Sequence, residues 1–178
     1  MNDELLTREM LELVRSRFFG KYRGLVATPL PDPTLRGRVQ VQVPAVLGTA
    51  IVWAMPCVPY AGKDVGVHMI PPAGAGVWVE FEAGDPSYPI WSGCYWAQGD
   101  ISPVDAIPSV KFIRTDRVSL RIDDVKGELV IDTGASKITI NALTIKLDSI
   151  EVKASAKTRN ISVDPARVSI NDGTQEIF

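Results

Sequence analysis

The sequence predicts a mainly β protein with an N-terminal helix, a small β-barrel and a tail of short strands. Three observations support this fold class. Apolar residues recur at helical spacing near the N-terminus, whereas the middle of the chain alternates strictly and holds all four tryptophans and all four tyrosines. Beyond it, short aliphatic stripes continue without Trp or Tyr. We expect a helix at residues 1–19, a barrel at 20–99, a linker at 100–111 and a strand-rich tail at 112–178.

The N-terminal helix is amphipathic. Leu6, Met10 and Leu13 fall three or four residues apart and form one apolar stripe. Asp3 favours the helix N-terminus, and Gly20 is a suitable C-terminal stop. Because a lone helix of this length is not stable in water, we expect the stripe to dock on its own domain or on a partner.

The middle region predicts five or six short strands of a Greek-key barrel. Valines alternate in RVQVQV at 38–43 and again in VWVEF at 77–81, with Pro and Gly residues between the strands. Val77, Val79 and Phe81 are expected to fill the barrel while Trp78 faces outward, where a subunit contact is favoured over a ligand. Asp85 and the proline after it predict a stiff, tight turn.

The tail predicts an obligate oligomer. Its stripes cannot bury a core in an independent monomer, and their exposed edges would aggregate unless they were paired. Three copies wound into a closed prism satisfy both demands, so a trimer is expected, and an ordinary sandwich formed by the tail alone is the alternative. The apolar parity shifts at Leu143 and again at Ile150, which predicts extra residues at bends.

Composition excludes several classes of function. No run approaches the length of a membrane span, and the acidic start MNDELL lacks the basic region of a secretory signal, so we expect folding in a cytoplasm. Cys57 and Cys94 are expected to be buried, reduced thiols. A net charge of −2 opposes nucleic-acid binding.

Catalysis is not expected either. His68 is the only histidine, and no phosphate-binding loop, GxSxG or CxxC motif is present. The pair Asp123 and Asp124 is expected to lie in a solvated turn.

Ordered motifs across residues 20–97 carry a family resemblance. They are GKYRGLV at 20–26, RGRVQVQVP at 36–44, WAMPC at 53–57, PPAGAGVWVEF at 71–81 and GDPSYPIWSG at 84–93. Together they resemble the OB-fold domain of the phage baseplate assembly protein V family, which supplies the central spike of contractile phage tails and related injection systems.

The resemblance implies an OB-fold collar followed by an intertwined triple-stranded β-helix needle, formed by a homotrimer. It also implies that the helix contacts a tail hub protein through Leu6, Met10 and Leu13. Such a spike would be assembled in the producing bacterium's cytoplasm, become part of a virion tail or injection-particle baseplate, and pierce the target cell envelope when the sheath contracts.

The tip of the spike is expected to lack a metal. Some spikes of this family end in a histidine-bearing apex that holds iron, but the tail here contains no histidine, and His68 would serve only on a threefold axis. No metal or cofactor is therefore expected. Ile177 and Phe178 would leave a blunt apolar end, which predicts a separate PAAR-like tip protein as a cap.

The alternative function is a trimeric OB-fold module that binds glycans or single-stranded nucleic acid. Barrels of this fold commonly bind such ligands, and the nucleic acid requires a basic groove with exposed aromatic residues. Residues 1–110 hold 8 Lys and Arg against 11 Asp and Glu, which opposes nucleic acid.

Overall fold

A computed structural model describes residues 2–28, 30–157, 159–171 and 175–177, with the backbone alone at 2–6 and 176–177. The chain divides into two compact units, residues 1–100 and 101–178. Within the described residues, the regular structure is β apart from a 14-residue helix and two short helical segments, which confirms the mainly β class. The first unit contains α1 (Asn2–Arg15), β1 (Tyr22–Thr28), β2 (Val39–Gln42), α2 (Pro44–Leu47), β3 (Ile51–Pro56), β4 (Ala61–Gly62), β5 (Val65–Gly66), β6 (Gly76–Phe81), a 3-10 turn (Glu82–Gly84) and β7 (Pro89–Tyr95).

Five strands of the first unit close into an OB-like barrel. Their order around the barrel is β1-β2-β3-β7-β6, and β6 pairs with β1 to complete the ring. All neighbours are antiparallel except β3 and β7, which run parallel. The small β-barrel expected in the middle of the chain is therefore confirmed.

Alternating side chains form the barrel core. Val41, Val43, Val77 and Val79 are fully buried, and Phe81 joins them. Burying each such side chain contributes roughly 1.5–3 kcal/mol, so the alternation stabilises the barrel directly. The alternation seen in the sequence thus identifies the barrel interior correctly.

Helix α1 ends at Arg15, four residues before the expected end at residue 19. Ser16 closes the last turn, since its hydroxyl donates to the Leu13 carbonyl oxygen at 2.9 Å. The Phe18 amide then bonds outside the helix, to the Gly84 carbonyl oxygen at 2.8 Å. The chain therefore leaves the helix to reach the barrel.

No helix in the described part of the chain is long and apolar enough to cross a membrane.

The second unit contains two antiparallel meanders. The first sheet has the order β12-β11-β10-β9-β8 and the second β13-β14-β15-β16. Their strands are β8 (Val110–Arg114), β9 (Ser119–Asp123), β10 (Glu128–Asp132), β11 (Lys137–Ile140), β12 (Ile145–Asp148), β13 (Val152–Ala156), β14 (Arg159–Val163), β15 (Val168–Ile170) and β16 (Gln175–Ile177).

Hairpin turns explain the parity shifts of the tail. Ile140 pairs with Ile145 across the turn at 141–144, so an even and an odd position share one face. The sequence pattern groups Leu143 with Ile145 and Leu147 in one strand, but Leu143 lies in that turn and is 92% exposed, so this grouping is wrong. Ile150 likewise lies between β12 and β13. Leu143 has an odd number, like Ile145 and Leu147 of the strand after it, and so this turn residue looked like part of that strand.

Candidate interaction surfaces

One face of the first tail sheet is aliphatic except at Lys111 on the edge strand β8. Cross-strand pairing aligns Ile122, Leu129, Ile140 and Ile145 in one row. The next row holds Ile113, Leu120, Ile131, Ile138 and Leu147. None of these side chains is buried, and Ile145 is 71% exposed. Contiguous aliphatic surface of this kind marks an interaction site in soluble proteins.

The opposite face of this sheet is charged. Asp132 pairs in register with Lys137, which in turn pairs with Asp148. The Lys137 ammonium lies 3.2 Å from the Asp132 carboxylate, and Lys146 contacts Asp148 at 2.8 Å. One face therefore carries charge pairs, which water solvates well. The other carries aliphatic side chains, whose exposure to water is unfavourable.

The second tail sheet repeats the pattern with smaller side chains. Its register places Val152, Val163 and Val168 in one row and Ala154, Ile161 and Ile170 in the other. Ile177 pairs with Val168 in the backbone register, but its side chain and Phe178 lie outside the described residues. The tip contact expected at these two residues therefore stays a prediction.

An ion network orders the start of the second unit. Asp105, only 7% exposed, accepts from Arg114 at 2.9 Å and from Arg121 at 3.2 Å, and Arg121 also reaches Asp123. The two arginines hold the pKa of Asp105 below its usual range. The Lys126 amide, with Arg121, does the same for Asp123. Asp123 is thus buried in this network and not solvated, which corrects the expectation for that residue.

Helix α1 presents an uncovered apolar stripe. Met10 is 68% exposed and Leu13 is 58% exposed, while the side chain of Leu6 lies outside the described residues. Residues 7–16 are all exposed, so the described part of the stripe does not dock on the barrel of its own chain. The hub contact expected for these three residues remains a prediction.

On the face that ligand-binding OB folds use, one arginine already has partners within the chain. That face lies on the second and third strands, between the loop after β1 and the loop joining the last two strands. A cavity of about 230 Å³ there is lined by Arg36, Arg38, Trp53 and Tyr88. The Arg38 guanidinium lies 5.1 Å from the Trp53 ring centroid and 2.8 Å from a carboxylate oxygen of Asp32. The Arg38 charge is therefore paired with Asp32, and its guanidinium lies over the indole of Trp53, which is only half-buried.

Trp78 packs within the outer wall of the barrel. Its ring centroid lies 5.2 Å from that of Tyr95, and the Arg23 guanidinium lies 5.6 Å from it. Trp78 is half-buried between buried neighbours in β6, so its outward direction is confirmed. The subunit contact expected there stays a prediction.

The remaining candidate residues lie apart. Cys57 and Cys94 are both exposed, so the expectation of buried thiols is wrong. Cys57 follows the end of β3, and Cys94 lies in β7, where partial burial raises the pKa of its thiol. His68 is exposed and borders an apolar groove of about 460 Å³ beside β4 and β5. Among the described residues, no three His, Cys, Asp or Glu side chains converge on a metal position.

Sequence reasoning missed the charged residues that shape these surfaces. Asp105 and Arg17 pair with side chains 9 to 68 residues away in the sequence. Asp32 and Arg38 are six residues apart and pair across one loop. Only Asp32 leaves a local signal, since an Asp with a Thr two residues later favours a side-chain-closed turn. The Thr34 amide does donate to Asp32 at 2.9 Å.

One family model matches the chain. Residues 22–96 match the type VI secretion system/phage-baseplate injector OB domain. The matched segment runs from the start of β1 through the end of β7, which is the whole barrel. The match confirms the resemblance seen in the sequence motifs. No curated protein matches the chain.

Proposed function

We propose that this chain, whose residues 22–96 belong to the type VI secretion system/phage-baseplate injector OB-domain family, forms the central spike of a contractile injection particle. The family itself suggests a structural role in a baseplate. The finer role is a trimeric needle that pierces the target cell envelope when the sheath contracts. The barrel is the collar of this spike, and residues 101–178 supply the needle.

The observation that carries the proposal is the aliphatic face of the sheet β8–β12. Nine Ile and Leu side chains on five strands are left open to water in a single chain. At about 25 cal/mol per Å² of apolar surface removed from water, covering this face is strongly favourable. Three copies that pack these faces around one axis bury them and leave the charged faces outside, as a homotrimeric β-helix requires.

The proposed partners follow from the two ends. The exposed stripe of α1, including Met10 and Leu13, binds a tail hub protein, and a PAAR-like tip protein caps the C-terminal end of the needle. The role requires no catalysis, metal or cofactor. The spike is assembled in the producing bacterium's cytoplasm and becomes part of a virion tail or injection-particle baseplate.

Adjacent residues of β11 provide the test, because they face opposite sides of the sheet. Ile140 lies in the aliphatic rows, whereas Thr139 pairs with Lys146 on the charged face. Light scattering should give three times the 19.4 kDa chain mass for the wild-type protein. Ile140→Lys should yield monomers, because three lysines cannot be buried unpaired at one axis, and the matched control Thr139→Lys should stay trimeric. A monomeric wild-type protein contradicts the proposal.

A further inference from the structure

The segment after α1 packs on the turn between β6 and β7. The Phe18 amide donates to the Gly84 carbonyl oxygen at 2.8 Å. The neighbouring Arg17 guanidinium lies 3.1 Å from the Asp85 carboxylate. Consecutive residues of the segment thus contact consecutive residues of the turn, once through backbone and once through side chains. Together the two contacts fix both position and direction of the segment.

The ring of Phe18 extends the barrel core. Its centroid lies 6.1 Å from those of both Tyr22 and Phe81, and these two rings lie 5.7 Å apart. Phe18 also packs against the buried core cluster. Tilted and edge-on aromatic pairs contribute beyond their buried area, so the ring anchors the segment as well as covering the core.

The turn has the shape that this segment needs. Gly84 has φ +76°, and a Cβ atom there would lie 3.1 Å from the Arg17 Cβ and 3.0 Å from the Phe19 ring. Glycine therefore leaves room for the segment. Asp85 accepts from the Ser87 amide through Oδ1 at 3.0 Å, which leaves Oδ2 for Arg17. The Ser87 amide and Arg17 both lower the pKa of Asp85, so its carboxylate remains charged at neutral pH.

We propose that this turn, residues 82–88, is a seat for the N-terminal segment and fixes the direction in which α1 leaves the barrel. In ligand-binding OB folds the loop between the last two strands contacts the ligand; here it holds the chain's own residues 17–19. A helix in a fixed direction loses less conformational freedom when it binds a partner than one on a loose tether. The inference concerns the folded chain and does not depend on the spike function.

Amide hydrogen exchange of the full-length protein tests the seat. In the wild-type protein the Phe18 amide should be protected, although it lies outside every helix and strand. Asp85→Asn keeps the Oδ1 acceptor for Ser87 but removes the charge that binds Arg17, and Arg17→Gln removes the same ion pair from the other side. Each variant should speed exchange at residues 16–20 about tenfold, with β6 and β7 unchanged. The double variant should exchange at the same rate as either single variant, because all three proteins lack the same Arg17–Asp85 ion pair.

Lys21→Gln is the matched control. Lys21 belongs to the same segment but pairs with Glu80 and with Ser92, outside the turn. Exchange at residues 16–19 should stay at its wild-type rate in this variant. The seat is contradicted if the wild-type Phe18 amide exchanges without protection, or if Lys21→Gln speeds the segment as much as Arg17→Gln does. Because Arg17 lies outside the barrel strands, its variant remains informative even where Asp85→Asn fails to fold.

Discussion

Asp32 holds the loop between β1 and β2 through both of its carboxylate oxygens. Oδ1 accepts from the Thr34 amide and hydroxyl and from the Arg38 guanidinium, while Oδ2 accepts from the amides of Arg36 and Arg38. The side chain is nearly enclosed, since the residue is only 8% exposed. Arg38 is the largest cause that holds the pKa of Asp32 far below its usual range. A carboxylate with this many donors fixes the loop in one conformation.

Replacing Asp32 should make the barrel less stable in a pH-dependent way. A carboxyl group whose pKa is depressed in the folded state contributes stability above its unfolded pKa and loses that contribution as pH falls toward the folded value. Asp32→Asn should therefore lower the urea midpoint at neutral pH. The gap to the wild-type protein should narrow below about pH 4, the unfolded pKa of Asp. Tryptophan fluorescence measures the urea midpoint of the barrel, because all four tryptophans lie in the first unit.

Asp64→Asn serves as the control for that experiment, since Asp64 is an exposed residue of the same unit. At neutral pH this variant should stay much closer to the wild-type midpoint than Asp32→Asn does. A gap between wild type and Asp32→Asn that stays constant down to about pH 2.5 would show that the depressed pKa contributes nothing to the loop.

At the scale of elements, the pairing of β6 with β7 depends on a glycine. A Cβ atom at Gly76 would lie 2.6 Å from the Tyr95 ring, which itself packs on Trp78. Gly76→Ala should therefore destabilise the barrel by about 1–3 kcal/mol, although Gly→Ala usually stabilises where the backbone permits it. In a Tyr95→Ala background the same change should cost less, because the ring is gone. Urea unfolding of the four proteins measures this coupling, and equal costs in both backgrounds would exclude the ring as the cause.

The sequence was sufficient to predict elements whose pattern is set locally. Alternation in β2 and β6 marked the barrel interior, because a strand must place successive side chains on opposite sides. The aliphatic rows of the tail were visible for the same reason. Motifs spread over the whole barrel then gave a resemblance to the family whose model matches residues 22–96, which strand patterns alone could not do.

Features that depend on distant contacts could not be predicted. Helix α1 stops early because Phe18 bonds to Gly84, 66 residues further along the chain. Asp105 was assigned to a linker, whereas two arginines on β8 and β9 hold it. The sequence also could not show that Cys57 and Cys94 are exposed, since burial away from the barrel core depends on what covers each residue.

For the whole molecule, the two units should unfold differently. The barrel has its own buried core, whereas the tail sheets carry open aliphatic faces that other copies are proposed to cover. Association stabilises a folded unit by mass action, so its melting temperature rises with protein concentration. We expect this rise in the transition of residues 101–178.

Two probes separate the transitions. Tryptophan fluorescence follows the first unit alone, and far-ultraviolet circular dichroism follows both. Circular dichroism should show a second transition that fluorescence does not report. Its melting temperature should rise as the protein concentration is raised a hundredfold. Ile140→Lys should remove its concentration dependence and leave the fluorescence transition in place, whereas Thr139→Lys should keep both. A tail transition at the same temperature at every concentration would mean that each chain folds its tail alone, and the trimeric needle would then lose its physical basis.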